Sequence, residues 1–441
     1  MRVLLAVHHF PPNYTGGAEW EAYRIASRLI DRSHQVQVLC VENVTNGKKE
    51  SISWEDDFYK GVPVRRLFLN MKFAFGEFTS WEFDNPLIGQ MLNEFLLEYK
   101  PDIFHLMSGY ILTGRCLRVA KELNIPTVLS LMDFWFLCRR ITMLRSDGKL
   151  SGLPISPVVC AQCIGEEKKE YKLLGKIFPK MMELYWKGRK SVIRLFEERQ
   201  AFSLDTLNSV DVIISRSKFM LDFYIRAGVK KNRLVLSRQG QDIDNIQVEN
   251  SILNEDSRKL RIGYLGQIAP VKGIHILINA LGLIKDKDVK LFVYGNESAF
   301  PQYSGQLRQL AKEDSRIEFV GQFRRDELRK VMQGLDVIVV PSLWYENSPN
   351  VIQEAFMYRV PVIASDLGGM AELITHKENG LLFQPGDING LADQIKLLFE
   401  SPDLLGRLKS GIEPVKKVET EMNELERIYA SVLHQGPGIC V

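Results

Sequence analysis

The chain has 441 residues, 45% of them apolar and 25% charged, with 57 Lys and Arg against 54 Asp and Glu. That length exceeds one ordinary core and points to two domains. The net charge of +3 is too small for nucleic acid as a bulk partner, and no apolar run reaches the ~20 residues of a membrane-spanning helix.

From the start, short Val/Ile/Leu-rich runs alternate with helix-length amphipathic stretches, the pattern of parallel sheets covered by helices on both faces. The opening MRVLLAVHHFPP has no small-residue cleavage site after its apolar stretch, so it reads as a first buried strand rather than a secretory signal. Strands are expected at 2–7, 35–41, 102–106, 126–131 and 211–215, then at 261–265, 290–294, 317–320, 336–340 and 361–364. The expected fold class is α/β, with two Rossmann-like doubly wound domains facing across a cleft. The domains are residues 1–240 and 259–415, joined by a polar linker at 241–258, and a last helix within 416–441 is expected to return to the first domain. The six cysteines are scattered, unlike a disulfide framework, and imply a reducing, cytosolic compartment.

Segment 166–199 breaks the alternation. It holds ten Lys/Arg against six Asp/Glu, with Leu174, Ile177, Phe178, Met181, Leu184 and Tyr185 at helical spacing and Pro179 set to kink or split any helix. Two readings stay open. One is a helical hairpin packed on its own domain with a solvated basic edge. The other is a peripheral contact with an anionic membrane surface, on the inner face of the membrane.

Ligands of doubly wound folds bind beyond the carboxyl ends of strands, where helix N-termini offer free N–H groups and partial positive charge. Four strand-to-helix junctions qualify. Residues 8–19 carry Gly16-Gly17, suited to close backbone approach or simply to a tight turn. Residues 266–273 (GQIAPVKG) place Lys272 at a helix entrance, facing a diphosphate or merely solvent. Residues 341–350 lead into a helix expected at 349–358, with Ser348 as N-cap and Pro349 at the first helical position. Glu346 then lies in the loop and Glu354 inside the helix, two carboxylates able to accept from sugar and ribose hydroxyls, or to compensate the dipole and face solvent. The fourth, Ser365-Asp-Leu-Gly368-Gly369-Met-Ala-Glu372, should adjoin the third in the sheet.

FPPNYTGGAE, GQIAPVKG, PSLWYENSPNVIQEA with Glu346 and Glu354 as Glu-x₇-Glu, and GGMAELI occur in this order across nearly the whole chain. Together they resemble group 1 (family four) retaining glycosyltransferases of the GT-B fold. The resemblance implies that Gly16 and Gly17 face the donor phosphates and acceptor, that Lys272 neutralises the diphosphate, that Glu354 binds the ribose, and that Glu346 lies by the transferred sugar. Gly266, Gln267, Asn347, Ser348, Asn350 and Val351 would complete the donor site, and Asp133 the acceptor side. Three departures stand out. Gln267 replaces the usual arginine, which throws charge balance onto Lys272, helix N-termini or Arg238. Met132 replaces a histidine before Asp133. Of four cysteines found in similar relatives, Cys138, Cys160 and Cys163 remain, with Ser151 near the fourth position, one ligand short of a structural zinc site.

The implied activity is transfer of a hexosyl group from a UDP- or GDP-linked sugar to a glycan or lipid-linked acceptor, with retention, no metal and no other cofactor, in cell-surface polysaccharide or glycolipid assembly. Alternatives are a nucleotide-sugar epimerase, a phosphorylase, or a non-catalytic subunit that binds nucleotide sugar or glycan.

Overall fold

A computed structural model describes residues 1–44, 52–70, 79–242, 260–285 and 288–435. The chain divides into two units: Met1–Ser237 together with the chain from Met422, and Arg238–Glu421. The expected linker at 241–258 lies, from residue 243 on, outside the described residues.

The first unit is built on an eight-stranded sheet. Its strands are β1 (Arg2–Val7), β2 (Gln35–Val44), β3 (Ile52–Tyr59), β4 (Val62–Asn70), β5 (Ile103–Leu106), β6 (Thr127–Leu131), β7 (Val212–Ser215) and β8 (Leu234–Leu236). Their spatial order is β3-β4-β2-β1-β5-β6-β7-β8, parallel except for β3. From Val3 to Val7 every side chain is buried, as a strand covered on both faces requires. Parallel registers pair Arg2 with Gln35 on one side of β1 and Val3 with Ile103 on the other.

The second unit has β9 (Leu260–Leu265), β10 (Val289–Tyr294), β11 (Ile317–Gly321), β12 (Val337–Val340), β13 (Val362–Ser365) and β14 (Gly380–Phe383), in the all-parallel order β11-β10-β9-β12-β13-β14. The period-2 geometry of a strand divides its core in two. Val337 and Val339 join one apolar cluster with Ile262, Leu277 and Leu391, while Ile338 and Val340 join the other with Ile352, Phe356 and Met370. Both units are thus Rossmann-like.

Four strands escaped the sequence reading. β3 is exposed at every position except its ends, and the Arg65-Arg66 pair in β4 looks like a loop. In the hairpin those charges are neutralised: Arg65 binds Asp56 and Arg66 binds Asp57 at 2.8 Å each. β8 is three residues long and β14 four.

Segment 166–199 folds as helices Lys169–Ile177, Pro179–Gly188 and the start of Lys190–Ser209. Pro179 opens a helix, where its missing N–H costs nothing, so it splits the segment rather than kinking it. The inward-facing side chains differ from the expected stripe. Met182 and Trp186 are buried against Ala161, Ile164 and Phe196, whereas Leu174, Ile177, Phe178, Met181 and Leu184 are exposed and Tyr185 half-buried.

The helix Val418–Gln435 ends in the first unit. There Tyr429 O–H meets Nδ1 of the buried His105 at 2.7 Å, and Glu426 binds His34 and Arg32.

Candidate functional site

In the second unit, the loops after three neighbouring strands, β9, β12 and β13, interlock at their carboxyl ends. Gly273 has φ +72, and a Cβ there would lie 2.0 Å from Pro341 O, so only glycine lets the first loop pass the second. Leu343 N donates to Val271 O at 2.8 Å across the same contact. The third loop is held equally closely: Gly369 N donates to Glu346 O at 2.8 Å, and a Cβ on Gly369 would sit 1.5 Å from Asn347 O.

This packing brings Lys272 to Glu346. Glu346 Oε1 accepts from Lys272 Nζ at 2.6 Å, Trp344 Nε1 at 2.8 Å and Ser342 Oγ at 2.9 Å. Oε2 makes no hydrogen bond among the described residues. Glu346 is nearly buried, while Lys272 stays partly open, its ammonium 5.0 Å from the Trp344 ring centroid. The carboxylate is therefore fixed through one oxygen and presents the other.

Glu354 occupies the helix Asn350–Met357 and forms an ion pair with Arg325, a buried carboxylate against an exposed guanidinium. That helix begins one residue later than expected. Pro349 stands at the cap position and Ser348 does not cap, because its Oγ accepts from Gln353 Nε2 at 2.9 Å. Asn350 Oδ1 is engaged by Gln239, and Val351 packs against the apolar cluster of Ile352 and Phe356. Gly266 has φ +150, and Gln267 is exposed, its carbonyl accepting from Tyr264 O–H at 2.7 Å. Arg238 is paired with Glu372, so its charge is already partly spent.

Gly16, Gly17 and Asp133 lie in the first unit, at the carboxyl ends of β1 and β6. Gly16 precedes the helix Gly17–Asp31, and the Glu19 carboxylate folds back over that entrance to meet His8 Nε2 at 3.2 Å. Burial raises the Glu19 pKa, but the His8 hydrogen bond and charge outweigh it and hold the carboxyl below its ordinary value. Asp133 Oδ1 accepts from Trp135 N at 2.7 Å and Oδ2 from Ser108 Oγ at 2.9 Å. Its pKa is raised by burial, with Trp135 N–H, the His8 charge and Ser108 opposing. Sequence reasoning missed His8, Glu19 and Ser108 here, and Ser342, Trp344 and Arg325 in the second unit. Ser342 and Trp344 lie within the motif around Glu346, and His8 directly follows β1.

Cys138, Cys160 and Cys163 line one pocket of ≈ 280 Å³ together with Ser151, Phe196 and Arg199. Among the described residues, no three His, Cys, Asp or Glu side chains are grouped to hold a metal ion, and the five described cysteines are free thiols.

Two doubly wound, mainly parallel units with loops built over their strand ends are the architecture of GT-B proteins. Residues 15–245 match the family model described as Glycosyltransferase Family 4, and residues 259–401 that of Glycosyl transferases group 1. The chain belongs to this family of nucleotide-sugar-dependent glycosyltransferases. It is 22% identical over 386 residues to an uncharacterised protein of the cps region of Klebsiella pneumoniae, covering 85% of this chain and 87% of that protein. A D-inositol 3-phosphate glycosyltransferase of Corynebacterium glutamicum is 24% identical over 51% of this chain and 57% of its own length. The fold is shared with the crystal structure of Anabaena HepE in complex with UDP, at a TM-score of 0.67 and 18% identity, covering 98% of this chain and 100% of that one.

Proposed function

We propose that this glycosyltransferase moves a hexosyl group from a UDP- or GDP-linked donor to a glycan or lipid-linked acceptor, with retention of configuration and without a divalent metal. The observation that carries the reading is Glu346, pinned through Oε1 by Lys272, Ser342 and Trp344 and open at Oε2. Such a carboxylate can accept from a sugar hydroxyl without reorganising, and the adjacent ammonium can balance charge on a departing diphosphate. Relatives solved with UDP and with UDP-glucose favour a uridine donor.

In this mechanism the bond from the anomeric carbon to the phosphate oxygen breaks first, leaving an oxocarbenium-like sugar. Lys272 and loop N–H groups stabilise the leaving phosphate. The acceptor oxygen attacks from the same face, and its proton passes to the leaving phosphate oxygen. Glu346 orients the sugar, Glu354 takes the ribose hydroxyls in place of Arg325, and Asp133 orients the acceptor hydroxyl. Retention then needs no protein nucleophile.

The test is slow hydrolysis of a panel of UDP-, GDP- and ADP-sugars by the purified protein, with and without EDTA. Release of one nucleotide, undiminished by EDTA, is expected. Release that EDTA abolishes overturns the metal-free mechanism. Absence of both release and binding with every donor overturns the enzyme reading in favour of a non-catalytic subunit.

A further inference from the structure

The two short helices Lys169–Ile177 and Pro179–Gly188 leave an apolar face uncovered. Leu173, Ile177, Phe178, Met181 and Leu184 each expose more than half of their surface, Leu184 reaching 71%. Their neighbours Met182 and Trp186 are buried in the local core, so the helices are anchored while the opposite face stays open. A face of five large apolar side chains is costly in water and is a mark of an interaction site.

The stretch that carries this face is strongly basic. Between Lys168 and Lys190 there are eight Lys/Arg against two Asp/Glu, and all eight cations are exposed. The local excess is twice the net charge of the whole chain, so the remainder is net acidic. Lys187 is paired with Glu183, but Lys169, Lys172, Lys176, Lys180 and Lys190 make no ion pair among the described residues. No described helix is long and apolar enough to cross a membrane, and helices of nine and ten residues span only about 15 Å.

We infer that this hairpin seats the protein on an anionic phospholipid bilayer. Phe178, Met181, Leu184, Ile177 and Leu173 enter the headgroup boundary, and the lysines around them meet lipid phosphates. Protein interfaces are depleted in lysine and favour arginine and aromatic anchors. An exposed, mainly aliphatic face on lysine-rich helices instead matches the interfacial helix, whose long lysine stems carry charge up to the headgroups. The hairpin belongs to the unit that also carries Asp133, so a lipid-linked acceptor presented at the bilayer is compatible with it. The inference itself does not depend on the enzymatic reading.

Flotation of the full chain with vesicles tests it, comparing pure phosphatidylcholine with phosphatidylcholine containing 40% phosphatidylglycerol. The protein should float with the anionic vesicles and not with the neutral ones, and binding should fall steeply with added salt. Ile177→Glu with Leu184→Glu should weaken binding at least tenfold, and Lys172→Ala, Lys176→Ala and Lys180→Ala about fivefold each. Because these side chains are exposed, Tm should not move in any variant. Flotation with neither vesicle, equal flotation with both, or variants that float like the parent would each overturn the inference. A concentration-dependent dimer that Leu184→Glu dissolves would overturn it too, assigning the face to a second copy of the chain.

Discussion

Lys272 Nζ lies 2.6 Å from Glu346 Oε1, although the two residues are 74 positions apart and reach each other from loops on different strands. Glu346 is buried and Lys272 only partly open, so the weight of the pair in folding is moderate, about 1–3 kcal/mol for loss of either partner. Its weight in turnover should be much larger. Lys272→Ala and Glu346→Gln are each expected to lower kcat about 10²–10³-fold, measured well below the Tm of each variant. Steady-state kinetics with the donor found by the hydrolysis panel checks this. Turnover unchanged in both variants would remove the pair from the active site.

Gly369 tests whether the loops must stay interlocked. A methyl group there would collide with Asn347 O at 1.5 Å, so Gly369→Ala must displace the Glu346 loop or the start of the Gly368–Leu373 helix. A loss of about 1–3 kcal/mol in stability is expected, together with a fall in kcat larger than in any surface variant. Denaturant melts and rates measured on the same preparation separate the two effects. A variant with parental Tm and kcat would show that the close approach is dispensable.

The Glu354–Arg325 ion pair joins a buried acceptor to an exposed donor. If ribose hydroxyls replace the arginine, Glu354→Gln should raise the donor KM about ten- to a hundredfold, the worth of a charge-assisted hydrogen bond. Arg325→Ala should leave Tm nearly unchanged, since its guanidinium is mostly in water. A donor KM that rises equally in both variants would place the arginine, rather than the carboxylate, against the donor.

Asp133 gives a pH signature. Burial raises its pKa, so a reaction needing the carboxylate should lose rate on acidification through a pKa above the ordinary 3.8. Asp133→Asn should abolish that acidic limb. For stability the sign is opposite to that of a salt-bridged carboxylate. A raised native pKa means the native state binds more protons than the unfolded chain, so stability falls as pH rises through that window. Asp133→Asn should therefore melt no lower than the parent at pH 7 while losing activity.

His105 provides a second, purely structural titration. Burial, aided by the Arg216 charge, lowers its pKa to about 3. Between the unfolded value near ~6.5 and about 3 only the unfolded chain takes the proton. Stability should fall there by about 1.4 kcal/mol per pH unit on acidification. His105→Gln should flatten that slope whatever it does to the absolute stability, as urea melts from pH 7 to pH 4 would show.

The parallel core was legible because its strands are continuous apolar runs, and β1 and β12 show it plainly. The edges were not. β3 buries almost nothing, and the arginines of β4 gain their meaning only from Asp56 and Asp57 across the hairpin. Within the site, Lys272 and Glu346 stood out as charged residues at strand-to-helix junctions, but nothing local says that both bind through one carboxylate oxygen. His8 and Ser108 were harder still. Each is an ordinary polar residue until β1, β5 and β6 lie side by side and their ends bring His8 and Ser108 toward Asp133. The excess of Lys and Arg marked the basic hairpin, whereas the inward turn of Met182 and Trp186, and not Leu184, is accommodated by Gly165, where any side chain would occupy the space of the Trp186 ring.

Tyr429 closes onto His105 from 324 residues further along the chain. During synthesis at roughly 5–20 residues per second, that partner arrives tens of seconds after the strand it completes. Throughout that interval a histidine destined for the interior lacks half of its hydrogen bonding. The whole Arg238–Glu421 unit is made before the first unit can finish. A ribosome pausing late in the message would hold the nascent chain in that half-finished state, and the last helix acts as the latch that ends it.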